Sequence, residues 1–272
     1  MTDPPAGVYS FSLGAPLRLL LIGSTGAAGL LALSGTVGWG LAGLGLVLCL
    51  GLTGLGSFWQ RSGVFGHVLL AGPADRLPPR VALTFDDGPD PVTTPQVLAV
   101  LARFGVRATF FVIGERARRH PALLAQLAAA GHQIENHSLH HAWTTAFASP
   151  RRLQAELNEA QQIIAAACGR RPVWFRPPIG ILSPPVAQAA AALGLRLAGW
   201  SDKARDGWSS TRLPQALARL RRGLRPGAIL LLHDAGEAPG TARTPLAVPI
   251  LEALLPELAA RGLAAVPLDE LF

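Results

Sequence analysis

The sequence predicts an α/β protein of about seven parallel strands with helices between them, preceded by an apolar helical block. Three observations predict it. Between residues 80 and 272, short apolar runs alternate with amphipathic stretches, the signature of repeated strand-helix units. Polar clusters fall where those runs stop. From Leu19 to Phe58 no charged residue occurs, whereas charges return from Arg61 onward.

The apolar block comes first in the chain. Crossing a bilayer takes about 20 apolar residues, and the block is rich enough in Leu, Gly and Ala for two passes. Leu19 to Ser34 and Gly38 to Phe58 are the expected transmembrane helices, with Gly35-Thr36-Val37 at the bend and small residues allowing close approach. Trp39 and Trp59 suit the interfaces. A cleaved signal peptide would have an apolar core of about 7 to 15 residues and a more basic start. Residues 1–60 are therefore read as an anchor in a bacterial-type inner membrane, with the lipid bilayer as partner through residues 19–58. Arg18 and Arg61 flank the stretch, and two arginines leave the side of the following domain open. Residues 61–79, with Gly, Pro and little pattern, read as a linker.

At 272 residues, there is room for one domain of about 200 residues beside such an appendage. The first sixty residues contain only Asp3 and Arg18 as charges, so the net +7 belongs to the remainder. A basic surplus suits anionic headgroups or acidic glycans. Nucleic acid is excluded as a partner, because the arginines are scattered along helices without an interleaved aromatic-basic motif. Two cysteines, Cys49 in the apolar block and Cys168 at a helix end, assign no compartment.

Within residues 80–272 the expected strands are Val81 to Phe85, Ala108 to Val112, Gln133 to Asn136, Val173 to Arg176, Leu195 to Trp200, Ile229 to His233 and Ala264 to Val266. The expected helices are Thr94 to Phe104, Pro121 to Ala130, Pro150 to Ala167, Pro185 to Leu193, Leu213 to Leu220 and Val248 to Ala260. Several begin beside a proline, whose fixed φ suits a first turn. Ala235 to Thr244 reads as a mobile loop. Periodicity alone permits either an open doubly wound sheet or an incomplete barrel.

Catalytic groups of strand-helix folds collect at strand C-termini, where loops converge above a rigid sheet. Five clusters occupy such places. Asp86 and Asp87 lie in TFDDGP, although Asp-Gly and Gly-Pro are also ordinary turn dipeptides. In HSLHH, His137 and His141 stand four apart and would share one face of a helical turn. With Asp87 they give two nitrogens and one oxygen, the donor mix of catalytic zinc sites that keep a position for water. Such a set also suits other divalent ions, and His140 competes with His141 on spacing alone. His120 and His132 flank a helix in plain structural context. Arg176, before the stiff turn Pro177-Pro178-Ile179-Gly180, could clamp a carboxylate bidentately. Asp206, with Trp200 and Trp208 as aromatic faces or core, forms the fourth cluster, and His233 ends the apolar run Ile229 to Leu232 as a candidate acid or base.

Taken in order, TFDDGP, HSLHH, FRPPIG and LLLHD resemble the polysaccharide deacetylases of the NodB-homology type, carbohydrate esterase family 4, from about residue 80 to the C-terminus. ATFFVIG at Ala108 to Gly114 and GHQIENHS at Gly131 to Ser138 resemble the connecting family segments. The resemblance implies a distorted, incomplete (β/α) barrel. It implies metal-dependent removal of N-acetyl groups from amino sugars, with a glycan containing N-acetylglucosamine as the carbohydrate partner. The implied cofactor is a divalent metal, zinc first, with cobalt, manganese, nickel and iron also suited. Asp86 would be the general base, and Asp87, His137 and His141 the metal ligands. Arg176 would orient Asp86, while His233 would be the general acid that Asp206 tunes. Pro178, Ile179, Gly180, Leu231 and Trp208 would line the substrate site, with Leu231 beside the acetyl group. The sequence departs from the pattern at Ile179, where many relatives carry Tyr or Phe. It departs again at Lys203, in place of an expected Asp, and at Gly207, which separates Asp206 from Trp208. A related reading is deformylation or deacetylation of a lipid-linked amino sugar at the membrane. A third, an inactive glycan-binding protein, requires a lost base, acid or ligand, and all are present.

Overall fold

The computed structural model describes residues 36–58, 60, 63, 65–207, 210–236 and 246–272. Its centre is a curled sheet whose strand pairs are all parallel, giving a half-barrel of the α/β class. The strands are β1 Val68–Leu69, β2 Arg80–Asp86, β3 Thr109–Val112, β4 Gln133–Asn136, β5 Trp174–Phe175, β6 Arg196–Ala198, β7 Asp202–Lys203, β8 Ile229–His233 and β9 Ala264–Val266. Their spatial order is β1-β6-β5-β4-β3-β2-β8-β7, with β9 against the start of β2. Between the edge strands β1 and β7, the gap near β8 is crossed by a single antiparallel bridge, Ala71 to Ala228. This is an incomplete barrel.

The elements follow from local chemistry. Strand β2 is buried along nearly its whole length, as an apolar run in a sheet covered on both faces must be. Its alternating residues divide between two layers: Val81, Leu83 and Phe85 join the main core under the helices, while Ala82 faces the barrel interior with Phe111 and Ile229. The helices are α1 Thr36–Phe58, α2 Thr93–Arg103, α3 Gly114–Arg119, α4 Pro121–Ala129, α5 Pro150–Cys168, α6 Pro184–Ala192, α7 Leu213–Gly223 and α8 Ala247–Ala260. Helices α5 and α6 begin with a serine whose hydroxyl accepts a backbone N–H, from Arg152 and Val186 respectively, followed by proline in the first turn. Helix α5 ends at Gly169, whose φ of 73° supplies the left-handed cap.

Four expectations change. The segment read as a linker contains β1, which pairs with β6, so it is part of the sheet. Strands β1 and β7, each of two residues, are too short to leave a periodic signal. Helix α3 was not expected, being six residues of mostly charged sequence. The expected membrane hairpin is not established. Leu19 to Ser34 lies outside the described residues, and α1 is one 23-residue helix without a charged residue. Counted over the described residues, no helix is long and apolar enough to cross a membrane. Most of the loop expected at 235–244 also lies outside them.

Candidate active site

The site forms where β2, β4, β5 and β8 end. Asp86 is the last residue of β2 and lies in register with His233, the last of β8. Asp87 follows with φ 75°, a left-handed backbone that folds its side chain back over the strand end. Both carboxylates consequently reach one imidazole: His137 Nε2 is 3.7 Å from Asp86 Oδ2 and 3.4 Å from Asp87 Oδ1. His141 Nε2 lies 3.3 Å from the same Asp87 oxygen. The three candidate ligand atoms of Asp87, His137 and His141 lie within 4.8 Å of one another.

Each histidine is aimed by its backbone. His137 follows β4, and its Nδ1 lies 2.7 Å from the Arg176 carbonyl oxygen, to which it donates, leaving Nε2 free to face the carboxylates. The segment to His141 is not the helical turn that the spacing suggested. Ser138 and His141 have φ of 72° and 55°, the Asn136 side chain accepts from the Ser138 N–H, and Ser138 Oγ accepts from the His141 N–H. This irregular loop brings the two rings to a centroid distance of 4.9 Å. His140 points to solvent. His132 is structural as expected: Nδ1 accepts from the Ala108 N–H and the ring meets Phe110 edge-on.

Arg176 is fully buried and serves several neighbours at once. One terminal nitrogen donates to Asp86 Oδ1 at 2.6 Å and to Thr84 Oγ1 at 2.9 Å, and the other donates to the Gly199 carbonyl at 2.8 Å. The contact with Asp86 is therefore one-point, not the bidentate clamp that the residue type suggested. The Phe111 ring covers the guanidinium at 4.1 Å.

On the other side, Asp206 Oδ1 lies 2.8 Å from His233 Nδ1, and its Oδ2 accepts the His233 backbone N–H at 2.9 Å. Burial depresses the His233 pKa, but the Asp206 charge and hydrogen bond outweigh it and push the group up to about 10. Burial likewise opposes the charged form of Asp87, yet the positive charge that the surrounding imidazoles of His137, His233 and His141 can carry holds its carboxyl well below the usual range. His141 moves down to about 4 through burial and the neighbouring His137.

Leu231 sits two residues before His233 on the same strand face, in register with Thr84. In the turn after Arg176, Pro178 and Gly180 are buried, while Ile179 is 54% exposed with φ 51°. The amides of Gly180 and Ile181 donate to the Pro177 and Pro178 carbonyls. Trp208 lies outside the described residues.

Two residues were missed. Arg116 donates to the backbone carbonyls of Asp87 at 2.9 Å and of Gly236 at 2.8 Å, tying the ends of β2 and β8 together. Asp234, fully buried, accepts from Thr94 Oγ1 at 2.5 Å, and burial pushes its carboxyl up to about 7. Arg116 follows the end of β3, so the strand-end rule that selected the other clusters could have found it. Asp234 was visible only as the neighbour of His233.

A half-barrel with a carboxylate-imidazole cluster beside a histidine-aspartate pair has the makings of a hydrolase site. The comparisons with known proteins name the class. The family model described as polysaccharide deacetylase matches residues 74–198. A chitooligosaccharide deacetylase of Sinorhizobium fredii is 40% identical over 190 residues, covering 68% of this chain and 87% of that protein. A peptidoglycan-N-acetylglucosamine deacetylase of Bacillus cereus is 34% identical over 193 residues, covering 70% and 87%. The solved family 4 acetyl xylan esterase of Clostridium thermocellum, in complex with a cobalt ion, matches with TM-score 0.63 at 35% identity, covering 71% of this chain and 89% of that one. The chain belongs to the polysaccharide deacetylase family, and it is an enzyme of that class.

Proposed function

We propose that this enzyme is a metal-dependent hydrolase that removes the acetyl group from N-acetylglucosamine units of a glycan. The observation that carries the metal requirement is Asp87 Oδ1: it is buried, two imidazole Nε2 atoms face it, and no hydrogen-bond partner satisfies it among the described residues. A buried carboxylate oxygen left in that state is costly unless a cation occupies the convergence point. The donor set fits a divalent ion, zinc first, with cobalt, manganese, nickel and iron as alternatives. When bound, such an ion supplies a more acidic water and a polarised amide carbonyl.

The remaining work falls to the chain's own groups. Arg176 holds Asp86 Oδ1, which leaves Oδ2 facing the cluster to take a proton from the attacking water. The backbone N–H of Ile179, for which no partner occurs among the described residues, donates to the carbonyl oxygen as negative charge develops there. His233, kept protonated by Asp206, gives a proton from Nε2 to the departing amine, because an amide nitrogen leaves poorly without one. Leu231 floors the acetyl pocket. Acetate and a free amino sugar result.

Support for the substrate class comes from the two relatives, whose names specify chitooligosaccharide and peptidoglycan N-acetylglucosamine. We place the protein at a membrane on the sequence run of charge-free residues from Leu19 to Phe58 and on the exposed leucines of α1, Leu44, Leu46, Leu48 and Leu50 among them. Attachment with the catalytic domain on the cytoplasmic side favours the second reading, deacetylation or deformylation of a lipid-linked amino sugar. Amine release from chitooligosaccharide by the purified full chain, before and after chelation and with each divalent ion restored, tests the reaction and its metal together. Activity that survives complete chelation would refute the metal requirement, and absence of amine release with every ion would refute the substrate.

A further inference from the structure

The segment that ends helix α1 touches the site from outside the residues that the family model matches. Gln60 Nε2 donates to the Gly180 carbonyl at 2.8 Å. Two residues before Gly180 the chain leaves Pro178, and two residues after it the Leu182 N–H donates to the Ser57 carbonyl at 3.1 Å. The turn that follows Arg176 is thus tied to the helix end at two points, one on each side of Ile181.

The fit around Gln60 is close. A Cβ added at Gly180 would lie 2.6 Å from Gln60 Nε2 and 2.5 Å from the Trp200 ring, and one added at Gly199 would lie 2.5 Å from Gln60 Oε1. The side-chain amide is therefore wedged between two glycines that leave room for it and for nothing larger. Both glycines adjoin the catalytic machinery. The Gly199 carbonyl accepts from Arg176, and Gly180 follows Ile179, whose N–H faces the developing oxyanion in the proposed mechanism.

Ile179 gives the wedge its importance. A β-branched residue at φ 51° is strained and stays there only when its surroundings enforce it. The Gln60 bond to the next carbonyl, together with the Ser57 tether, is such an enforcement.

We infer that Gln60 is a positioning residue of the active site: the end of α1 holds the turn at 177–182 in the strained form that presents the Ile179 N–H. The inference rests on the deacetylase reading for its kinetic consequence, and on geometry alone for the order of the turn.

The test uses the full chain carrying Gln60→Ala or Gln60→Glu, the latter keeping shape while setting a carboxylate oxygen against the Gly180 carbonyl. In both, kcat for amine release falls about tenfold, a fraction of the loss from deleting an oxyanion donor. KM stays within about twofold, metal content and thermal midpoint match the parent, and hydrogen exchange of residues 177–182 becomes faster. Unchanged kcat and exchange in both variants overturns the inference. So does a loss of activity matched by lost metal or a lowered midpoint, since that marks a merely structural role. If the parent chain releases no amine, the deacetylase reading fails, and the exchange measurement still decides whether Gln60 holds the turn.

Discussion

Asp206 grips His233 twice, one carboxylate oxygen on the ring Nδ1 and the other on the backbone N–H of the same residue. The two contacts fix both the rotation of the ring and its protonation, because a fully paired aspartate beside an imidazole favours the charged form.

Asp206→Asn removes the largest influence that raises the His233 pKa above 6.5 toward about 10. A raised histidine pKa contributes stability that is fully present below pH 6.5 and is lost as pH rises through about 10. The variant therefore loses its general acid at lower pH, and the basic limb of its kcat profile moves down while the acidic limb stays. A pH profile with an unmoved basic limb would count against His233 as the acid.

Arg176→Ala leaves Asp86, Thr84 and the Gly199 carbonyl without their buried donor. Breaking a buried pair from one side typically costs about 3–5 kcal/mol. Denaturant unfolding should show a loss of that size, and Arg176→Lys should recover part of it because one charge still reaches Asp86. Equal stability of Arg176→Ala and the parent would contradict the account of this cluster.

Gly88→Ala tests the packing beneath the candidate metal ligands. A methyl at residue 88 would strike the Asp234 carboxylate, which Thr94 holds in place. Overpacking of this kind costs about 1–3 kcal/mol, read as a lowered unfolding midpoint with the denaturant slope unchanged.

His137→Ala removes one of three candidate ligands and should lower metal content per chain in elemental analysis. Its Nδ1 contact is with a backbone carbonyl, so the fold should survive the change. Parent-level stoichiometry in the purified variant would refute the ligand assignment.

Much of this site could be read from the chain because strand ends are legible. Ile229 to His233, an apolar run that stops at a histidine, matches its strand end to end, and the bounds expected for Gln133 to Asn136 and Ala264 to Val266 match as well. What could not be read is irregular backbone. Spacing suggested a helical turn from His137 to His141, whereas Ser138 and His141 both take positive φ, a conformation sequence signals weakly outside Gly and Asn. Adjacent residues on a regular strand point to opposite faces, which would part Asp86 from Asp87. The left-handed φ of Asp87 breaks that alternation and sends both carboxylates to His137. The edge strands β1 and β7 and the contact from Gln60 depend on residues distant in sequence, which no local pattern encodes.

The division of labour between Asp86 and Asp87 is the centre of the account, and Asp86→Asn separates the two roles. The variant keeps the Asp87-His137-His141 set and should hold metal at the parent's stoichiometry, while amine release from chitooligosaccharide drops by about 10²–10⁴-fold. Metal bound as in the parent with activity also at the parent's level would show that Asp86 is not the base.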